Sequence, residues 1–119
     1  MKIYYAHSKA IYGTQREKEE LCFLKLVFDV VDPNNDMGER GNIKYYLEAI
    51  NKCDLVICSE YQDFIGKGVF QEIDWAIKNN KPVLCMRPHD KTFLLSLVKD
   101  TKIHDVTDWH VKYGKLTVY

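Results

Sequence analysis

The chain has no apolar run that approaches the roughly 20 residues of a membrane-spanning helix. Its first five residues also lack the pattern of a secretory signal peptide. Neither charge sign prevails, because 17 basic residues balance 17 acidic ones, so no overall field favours nucleic acid or an anionic membrane. We therefore expect a cytoplasmic protein that binds neither a membrane nor a nucleic acid polymer.

Metal-binding spacing is also lacking. No Cys-x-x-Cys pair occurs, and the histidines show no ligand spacing. The cysteines fall inside predicted helices or strands, which favours buried, reduced thiols over a zinc site or a disulfide framework. We therefore expect neither a metal nor a redox cofactor. The residues concerned are Cys22, Cys53, Cys58, Cys85, His7, His89, His104 and His110.

Internal repeats and low-complexity segments are absent as well, and the 119 residues are 46% hydrophobic, enough for one core. We expect a single domain over residues 1–119. Its elements alternate as β-α-β-α-β before a further helix and strand, which predicts a flavodoxin-like or Rossmann-like three-layer sandwich with a mostly parallel sheet of about five strands. The predicted strands are 2–6, 26–31, 53–59, 83–86 and 103–106, and the predicted helices are 15–25, 42–52, 69–79 and 93–98.

Three local features refine this prediction. Thr14 and Glu17 have the spacing of a capping box that starts the first helix. The segment 93–98 is apolar at the spacing of a short amphipathic helix. The last residues alternate around Gly114, so they form either a terminal hairpin or a loop followed by an edge strand.

The stretch 53–86 carries the functional signal. Two short apolar runs flank a helical segment, as in a parallel βαβ unit. Gly66 and Gly68 lie in the loop that opens the helix, and Glu72 is expected in about its first turn. Ligands of open α/β sheets bind outside the carboxyl ends of the strands, which places a small molecule here. Glu72 is either a charge at a helix N-terminus or a carboxylate that acts as nucleophile or general base.

At these residues the chain resembles the nucleoside 2-deoxyribosyltransferases and the related 2'-deoxynucleoside 5'-monophosphate N-glycosidases. The resemblance covers nearly all of residues 1–86, and the end of the chain, Thr117-Val118-Tyr119, also looks like members of the family. The matching motifs are Ile3-Tyr4-Tyr5-Ala6, Asp54-Leu55-Val56-Ile57, Gly68 through Glu72 to Ala76, and Lys81-Pro82-Val83.

The resemblance implies a catalytic pair, in which Glu72 attacks the anomeric carbon of a nucleoside and Tyr4 lies beside it. It also implies that the loop after the first strand holds a 5'-phosphate. The predicted substrate-binding residues are Ser8, Lys9, Gly13, Arg16, Asp63, Gly66, Gly68 and Tyr119. Asp63 departs from the family, because a longer loop displaces it from the position just before the glycines. The chain departs from the family at Tyr46, where an aspartate that binds sugar or base is usual.

The resulting hypothesis is an enzyme that hydrolyses or transfers at the N-glycosidic bond of a nucleoside or nucleoside 5'-monophosphate. The resemblance further implies a homodimer or higher oligomer with shared active sites. We also expect the aromatic residues of the C-terminal segment to form apolar surface that a second subunit covers; these are Trp109, Tyr113 and Tyr119. Two alternatives stay open. One is a non-catalytic nucleotide-binding or sensor domain, and the other is a TIR-like dinucleotide hydrolase, which also uses a glutamate on a helix.

Overall fold

The computed structural model describes residues 1–37, 43–59, 66–89, 92–103 and 113–118. Within these ranges the strands are β1 (Lys2–Ala6), β2 (Asp29–Val31), β3 (Leu55–Ser59), β4 (Val83–His89), β5 (Thr92–Ile103) and β6 (Tyr113–Val118). The α-helices are α1 (Gln15–Lys25), α2 (Ile43–Asn51) and α3 (Lys67–Lys78). A 3-10 helix spans Lys9–Ile11, and a π-helical turn spans Pro33–Met37. None of these helices combines the length and the apolar character needed to cross a bilayer.

The strands form one sheet in the order β2-β1-β3-β4-β5-β6. The pairs β1 with β2, β1 with β3, and β3 with β4 are parallel, whereas β5 and β6 are added antiparallel. The domain is therefore α/β with a mostly parallel sheet, as the alternation of strand and helix patterns predicts. β1 lies between β2 and β3, so its residues are covered on both sides within the sheet.

The core divides into two clusters because successive residues of a strand point to opposite faces. Tyr4 and Ala6 of β1 lie in one cluster with Ile50 of α2 and Ile73 of α3. Ile3 and Tyr5 lie in the other cluster, which contains the α1 residues Leu21 and Leu24. We call these the α3 face and the α1 face of the sheet. Two neighbouring tyrosines of β1 thus serve two different faces.

Helix α1 begins at Gln15, as predicted, but its capping differs from a complete capping box. The Thr14 hydroxyl accepts from the Glu17 backbone N–H at 3.3 Å. The Glu17 carboxylate accepts from the Gly13 N–H at 3.0 Å, whereas the Thr14 N–H donates to the Ile11 carbonyl. Glu17 therefore reaches one residue further back than a capping box requires.

The prediction of a strand over 26–31 is wrong for its first half. Leu26 and Val27 extend the end of α1 as a turn, in which the Val27 and Phe28 N–H groups donate to the Leu24 carbonyl. Their side chains are 80% and 64% exposed, so the apolar run did not mark a buried strand. β2 pairs with β1 only from Asp29 onward.

The helix predicted over 93–98 is also wrong, because this segment belongs to β5. Its residues pair antiparallel with β4, from His89 opposite Thr92 to Val83 opposite Val98. Phe93 and Leu95 pack on the α1 face, and Val98 lies in the core of the α3 face. Apolar residues at this spacing fit a strand buried on both sides as well as a helix, and pairing with the long β4 decides between them.

The last described strand, β6, decides between the two structures predicted for the C-terminal end, a hairpin or an edge strand. β6 is one continuous strand that includes Gly114, and it pairs with β5 at the edge of the sheet. A hairpin around Gly114 is therefore excluded in favour of an edge strand. Trp109 and Tyr119 lie outside the described residues, as do residues 104–106 of the predicted fifth strand.

The cap of α1 gives a stability prediction. Thr14→Ala removes the hydroxyl that accepts from Glu17 and donates to the Ile11 carbonyl at 2.6 Å. We expect the free energy of unfolding to fall by about 1 kcal/mol, measured by thermal or urea unfolding. Thr14→Ser keeps the hydroxyl and should stay near the parent. If the serine variant loses as much stability as the alanine variant, the hydroxyl is not what stabilises α1.

Candidate active site

Tyr4 and Glu72 meet on the α3 face of the sheet. Tyr4 is fully buried near the end of β1, and Glu72 is 7% exposed on α3. The Tyr4 hydroxyl donates a hydrogen bond to Glu72 Oε2. Side chains that are 68 positions apart in sequence are thus brought into contact by the packing of α3 against β1. A buried carboxyl bonded to a buried phenol is an arrangement that can hold or move a proton.

The sequence predicted Glu72 in about the first turn of its helix, but the structure places it beyond that turn. α3 begins at Lys67, so Glu72 is its sixth residue, and no acidic residue lies in the first turn. The helix starts earlier because Gly66 is the N-cap and Gly68 is already helical. Since the helix dipole acts mainly within the first turn, it contributes little to Glu72. The interpretation of Glu72 as a helix-terminal charge therefore loses its geometric basis.

Burial dominates the electrostatics of the pair. It raises the pKa of Glu72 from 4.5 to about 8, although the hydrogen bond from Tyr4 acts in the opposite direction. Burial also raises the pKa of Tyr4, and the negative charge of Glu72 raises it further. Tyr4 therefore remains a donor at ordinary pH, whereas Glu72 exchanges its proton near the physiological range.

Two more tyrosines interact electrostatically with this pair, and the sequence reasoning missed the first of them. Burial, followed by the charge of Glu72, raises the pKa of Tyr12, and Tyr46 adds to this shift. The Tyr12 ring also packs against His7, with 4.9 Å between ring centroids. Tyr46 packs on the same core cluster as Tyr4. The position of Tyr12 in the loop that leaves the carboxyl end of β1 is a signal that could have identified it.

The loop predicted to hold a phosphate uses several of its polar groups internally. The Ser8 hydroxyl accepts from the Ala10 N–H at 3.2 Å and caps the 3-10 helix that begins at Lys9. The Gly13 N–H donates to Glu17. Gly13 has a φ of +74°, a conformation that favours glycine. These contacts give Ser8 and Gly13 local structural roles.

Arg16 belongs to a separate network on the α1 face. Its guanidinium donates to Glu20 Oε2 at 3.3 Å and to Ser59 Oγ at 2.9 Å. The Ser59 hydroxyl donates to the same Glu20 oxygen at 2.8 Å, and Tyr5 donates to the other one. Glu20 is fully buried, and these donors compensate its charge. The structure therefore assigns Arg16 contacts other than those expected of a phosphate ligand.

The two predicted glycines lie at the start of α3. Gly66 caps α3, and Gly68 is an exposed residue of its first turn, beside open space. Asp63 and Tyr119 lie outside the described residues. Of the predicted site residues that the structure describes, Tyr4 and Glu72 form a direct side-chain contact.

Comparison with known proteins assigns neither a family nor a function to the chain. The chain matches no protein-family model, and neither the curated proteins nor the solved structures give a match. The fold and site define an α/β domain with a mostly parallel sheet and a buried tyrosine–glutamate pair.

The raised pKa of Glu72 predicts how stability depends on pH. Between the unfolded value of 4.5 and the folded value of about 8, the folded state holds a proton that the unfolded state releases. The free energy of unfolding therefore falls as pH rises through this window. Glu72→Gln has no carboxyl proton to lose, so its stability should not fall in this way. Its melting temperature should therefore rise relative to that of the parent as the pH increases to about 8.

The matched control is Glu48→Gln, which makes the same chemical change at an exposed position of α2. Its melting temperature should follow the parent at every pH. A constant difference between Glu72→Gln and the parent from about pH 5 to about pH 9 would contradict the raised pKa.

Proposed function

We propose that this protein cleaves, or transfers at, the N-glycosidic bond of a nucleoside or nucleoside 5'-monophosphate, with Glu72 as the nucleophile. The observation that carries the proposal is the contact between the Tyr4 hydroxyl and the buried Glu72 carboxyl. The resemblance to nucleoside 2-deoxyribosyltransferases and the related N-glycosidases names this same pair of positions. Glycosidic bonds break through oxocarbenium-like transition states, which a negatively charged carboxylate stabilises.

The proposed reaction has two steps. A Glu72 oxygen forms a bond to the anomeric carbon while the bond to the base nitrogen breaks, and the base leaves with the bonding electron pair and takes up a proton. Water then releases the free sugar, or a second base accepts it, and the Glu72 carboxylate is regenerated. Tyr4 holds one carboxylate oxygen by its hydrogen bond, so the other oxygen is the one available for attack.

The sheet order supports a binding site at this place. We propose that the domain is a flavodoxin-like or Rossmann-like three-layer sandwich, since β2-β1-β3-β4 is the order of the first four strands of a doubly wound sheet. In such sheets the ligand lies at the switch point, between the carboxyl ends of β1 and β3. Tyr4 lies two residues before the end of β1. The antiparallel β5 and β6 extend the sheet away from this point.

A non-catalytic nucleotide-binding or sensor domain is the second candidate, and one observation favours it. With a pKa of about 8, Glu72 is mostly protonated at pH 7, which suits a hydrogen-bonding role better than nucleophilic attack. Tyr46, where the resembling family has an aspartate, is consistent with a pocket that binds without turnover. Activity must therefore be tested directly.

The test is base release from a panel of nucleosides, 5'-monophosphates and dinucleotides, measured by chromatography. We expect the parent to release base and Glu72→Gln to be slower by several orders of magnitude, because the amide cannot attack the anomeric carbon. Glu48→Gln should react at the parent rate. Thermal stabilisation without base release would identify a binding domain, and base release from dinucleotides alone would favour the TIR-like alternative.

Tyr4→Phe tests how the pair is tuned. The hydrogen bond from Tyr4 lowers the pKa of Glu72, so its loss should raise that pKa above about 8. Because the carboxylate is the reactive form, kcat/KM should increase with pH up to the Glu72 pKa in the parent and up to a higher pH in Tyr4→Phe. A rising limb that stays in place or shifts to lower pH would show that Tyr4 does not stabilise the Glu72 carboxylate.

The proposed assembly follows from the same resemblance. We propose a cytoplasmic homodimer or higher oligomer in which Tyr119 of one subunit completes the site of another. Light scattering at micromolar concentration tests the assembly. A monomer would remove the basis for the role of Tyr119 without affecting that of Glu72.

A further inference from the structure

A second cluster of titratable side chains lies next to the carboxyl end of β1. His7 follows the end of β1, Glu17 lies in the first turn of α1, and Asp32 follows the end of β2. One ligand atom from each residue lies within 4.8 Å of the others. All three residues are buried, at 4%, 4% and 0% exposure. They therefore converge at the carboxyl edge of two neighbouring parallel strands.

The orientation of His7 directs a ring nitrogen into this cluster. His7 Nδ1 lies 3.1 Å from the Tyr5 carbonyl oxygen, which can only accept, so Nδ1 carries a hydrogen. Nε2 lies 2.6 Å from Glu17 Oε2 and 3.9 Å from Asp32 Oδ1. In a neutral ring with hydrogen on Nδ1, Nε2 carries the lone pair that faces the two carboxylate oxygens. A cation, either a proton or a metal ion, can then be shared by these three atoms.

The outer groups of the cluster are arranged as they are around bound metals. The His7 ring is fixed by a backbone carbonyl, which is the usual partner of a metal-ligating histidine. The Glu17 carboxylate is oriented by two donors. The Gly13 N–H donates to Oε1 at 3.0 Å, and the Asn34 side-chain amide donates to Oε2 at 3.0 Å. Asp32 accepts from the Asn34 N–H at 3.1 Å and from the Asn35 side-chain amide. Each carboxylate is thus held by neutral donors.

Two carboxylates and one histidine are buried together in this cluster. Within the described ranges, His7 is the one side chain that pairs with both Glu17 and Asp32. Buried carboxylates are normally paired with a cation or bound to a metal.

We propose that His7 Nε2, Glu17 Oε2 and Asp32 Oδ1 bind one divalent transition-metal ion, of which Zn²⁺ is the representative. One imidazole and two carboxylates suit zinc or a similar ion better than Mg²⁺ or Ca²⁺, which take oxygen ligands. Three protein ligands leave a further position for water or a substrate oxygen. This differs from the expectation of no metal, because ligands ten and fifteen positions apart match no spacing motif.

The experiment uses the full chain after chelator treatment and dialysis, titrated with Zn²⁺ by calorimetry. We expect one ion per chain and a higher melting temperature with zinc. Asp32→Asn and Glu17→Gln keep the shape but remove a ligand charge, and each should weaken binding by at least about 10-fold. Asp74→Asn is the matched control, because Asp74 pairs with Lys78 on α3 instead. It should bind zinc as the parent does.

Titration of the parent with Co²⁺ gives a test that needs no variant. Saturable visible absorption at one equivalent, removed by Zn²⁺, is expected for a site with a nitrogen ligand. Failure of the parent to bind either ion, or equal binding by Asp32→Asn, Glu17→Gln and Asp74→Asn, would overturn the proposal and leave a proton as the cation shared by His7 and Glu17. Glu72→Gln should bind zinc normally, so this result and the test of glycosidase activity are independent.

Discussion

The burial of the Glu72 carboxyl against Tyr4 is the constraint on which the site depends. A carboxylate that leaves water loses its hydration, and one hydrogen bond from Tyr4 restores only part of that loss. The result is a pKa of about 8 instead of 4.5. The same burial that makes the group costly to ionise also gives it a proton to exchange near neutral pH. Stability and proposed chemistry are therefore coupled through one residue.

This pair has a counterpart on the opposite face of the sheet. Tyr4 and Tyr5 are neighbours on β1, and each donates to a buried glutamate, Glu72 on α3 and Glu20 on α1. β1 thus fixes the position of a helix on each face through one phenol and one carboxyl. The two pairs differ in how many hydrogen bonds the glutamate accepts, because Arg16 and Ser59 also donate to Glu20. Glu20 thus accepts from three residues, whereas Tyr4 is the donor described for the Glu72 carboxyl.

The sequence predicts most of the parallel half of the fold, because periodicity and capping there agree with one another. α1 starts at Gln15 as its Thr14 cap indicates, and β1 and β3 are found where apolar runs predict buried strands. The helix predicted over 93–98 fails because its apolar residues suit either element, and the choice depends on pairing with β4. A pattern within a short stretch of sequence does not indicate which other strand that stretch pairs with.

The candidate site follows a similar division. Glu72 and Tyr4 could be named from motifs, yet their contact depends on how α3 packs on β1. The raised pKa could not be predicted, because it results from burial and not from residue type. The cluster of His7, Glu17 and Asp32 is invisible in sequence, since the ends of two strands and the start of one helix bring it together. Helical spacing also placed Glu72 too near the start of α3.

The configuration at the anomeric carbon of the product shows most directly whether Glu72 acts as a nucleophile. With methanol added as an acceptor, nuclear magnetic resonance can determine whether the methyl glycoside released from a β-nucleoside is β or α. Attack by Glu72 followed by attack of methanol inverts the carbon twice, so we expect the β product. The α product would show a single displacement by the acceptor and would contradict a glutamate nucleophile.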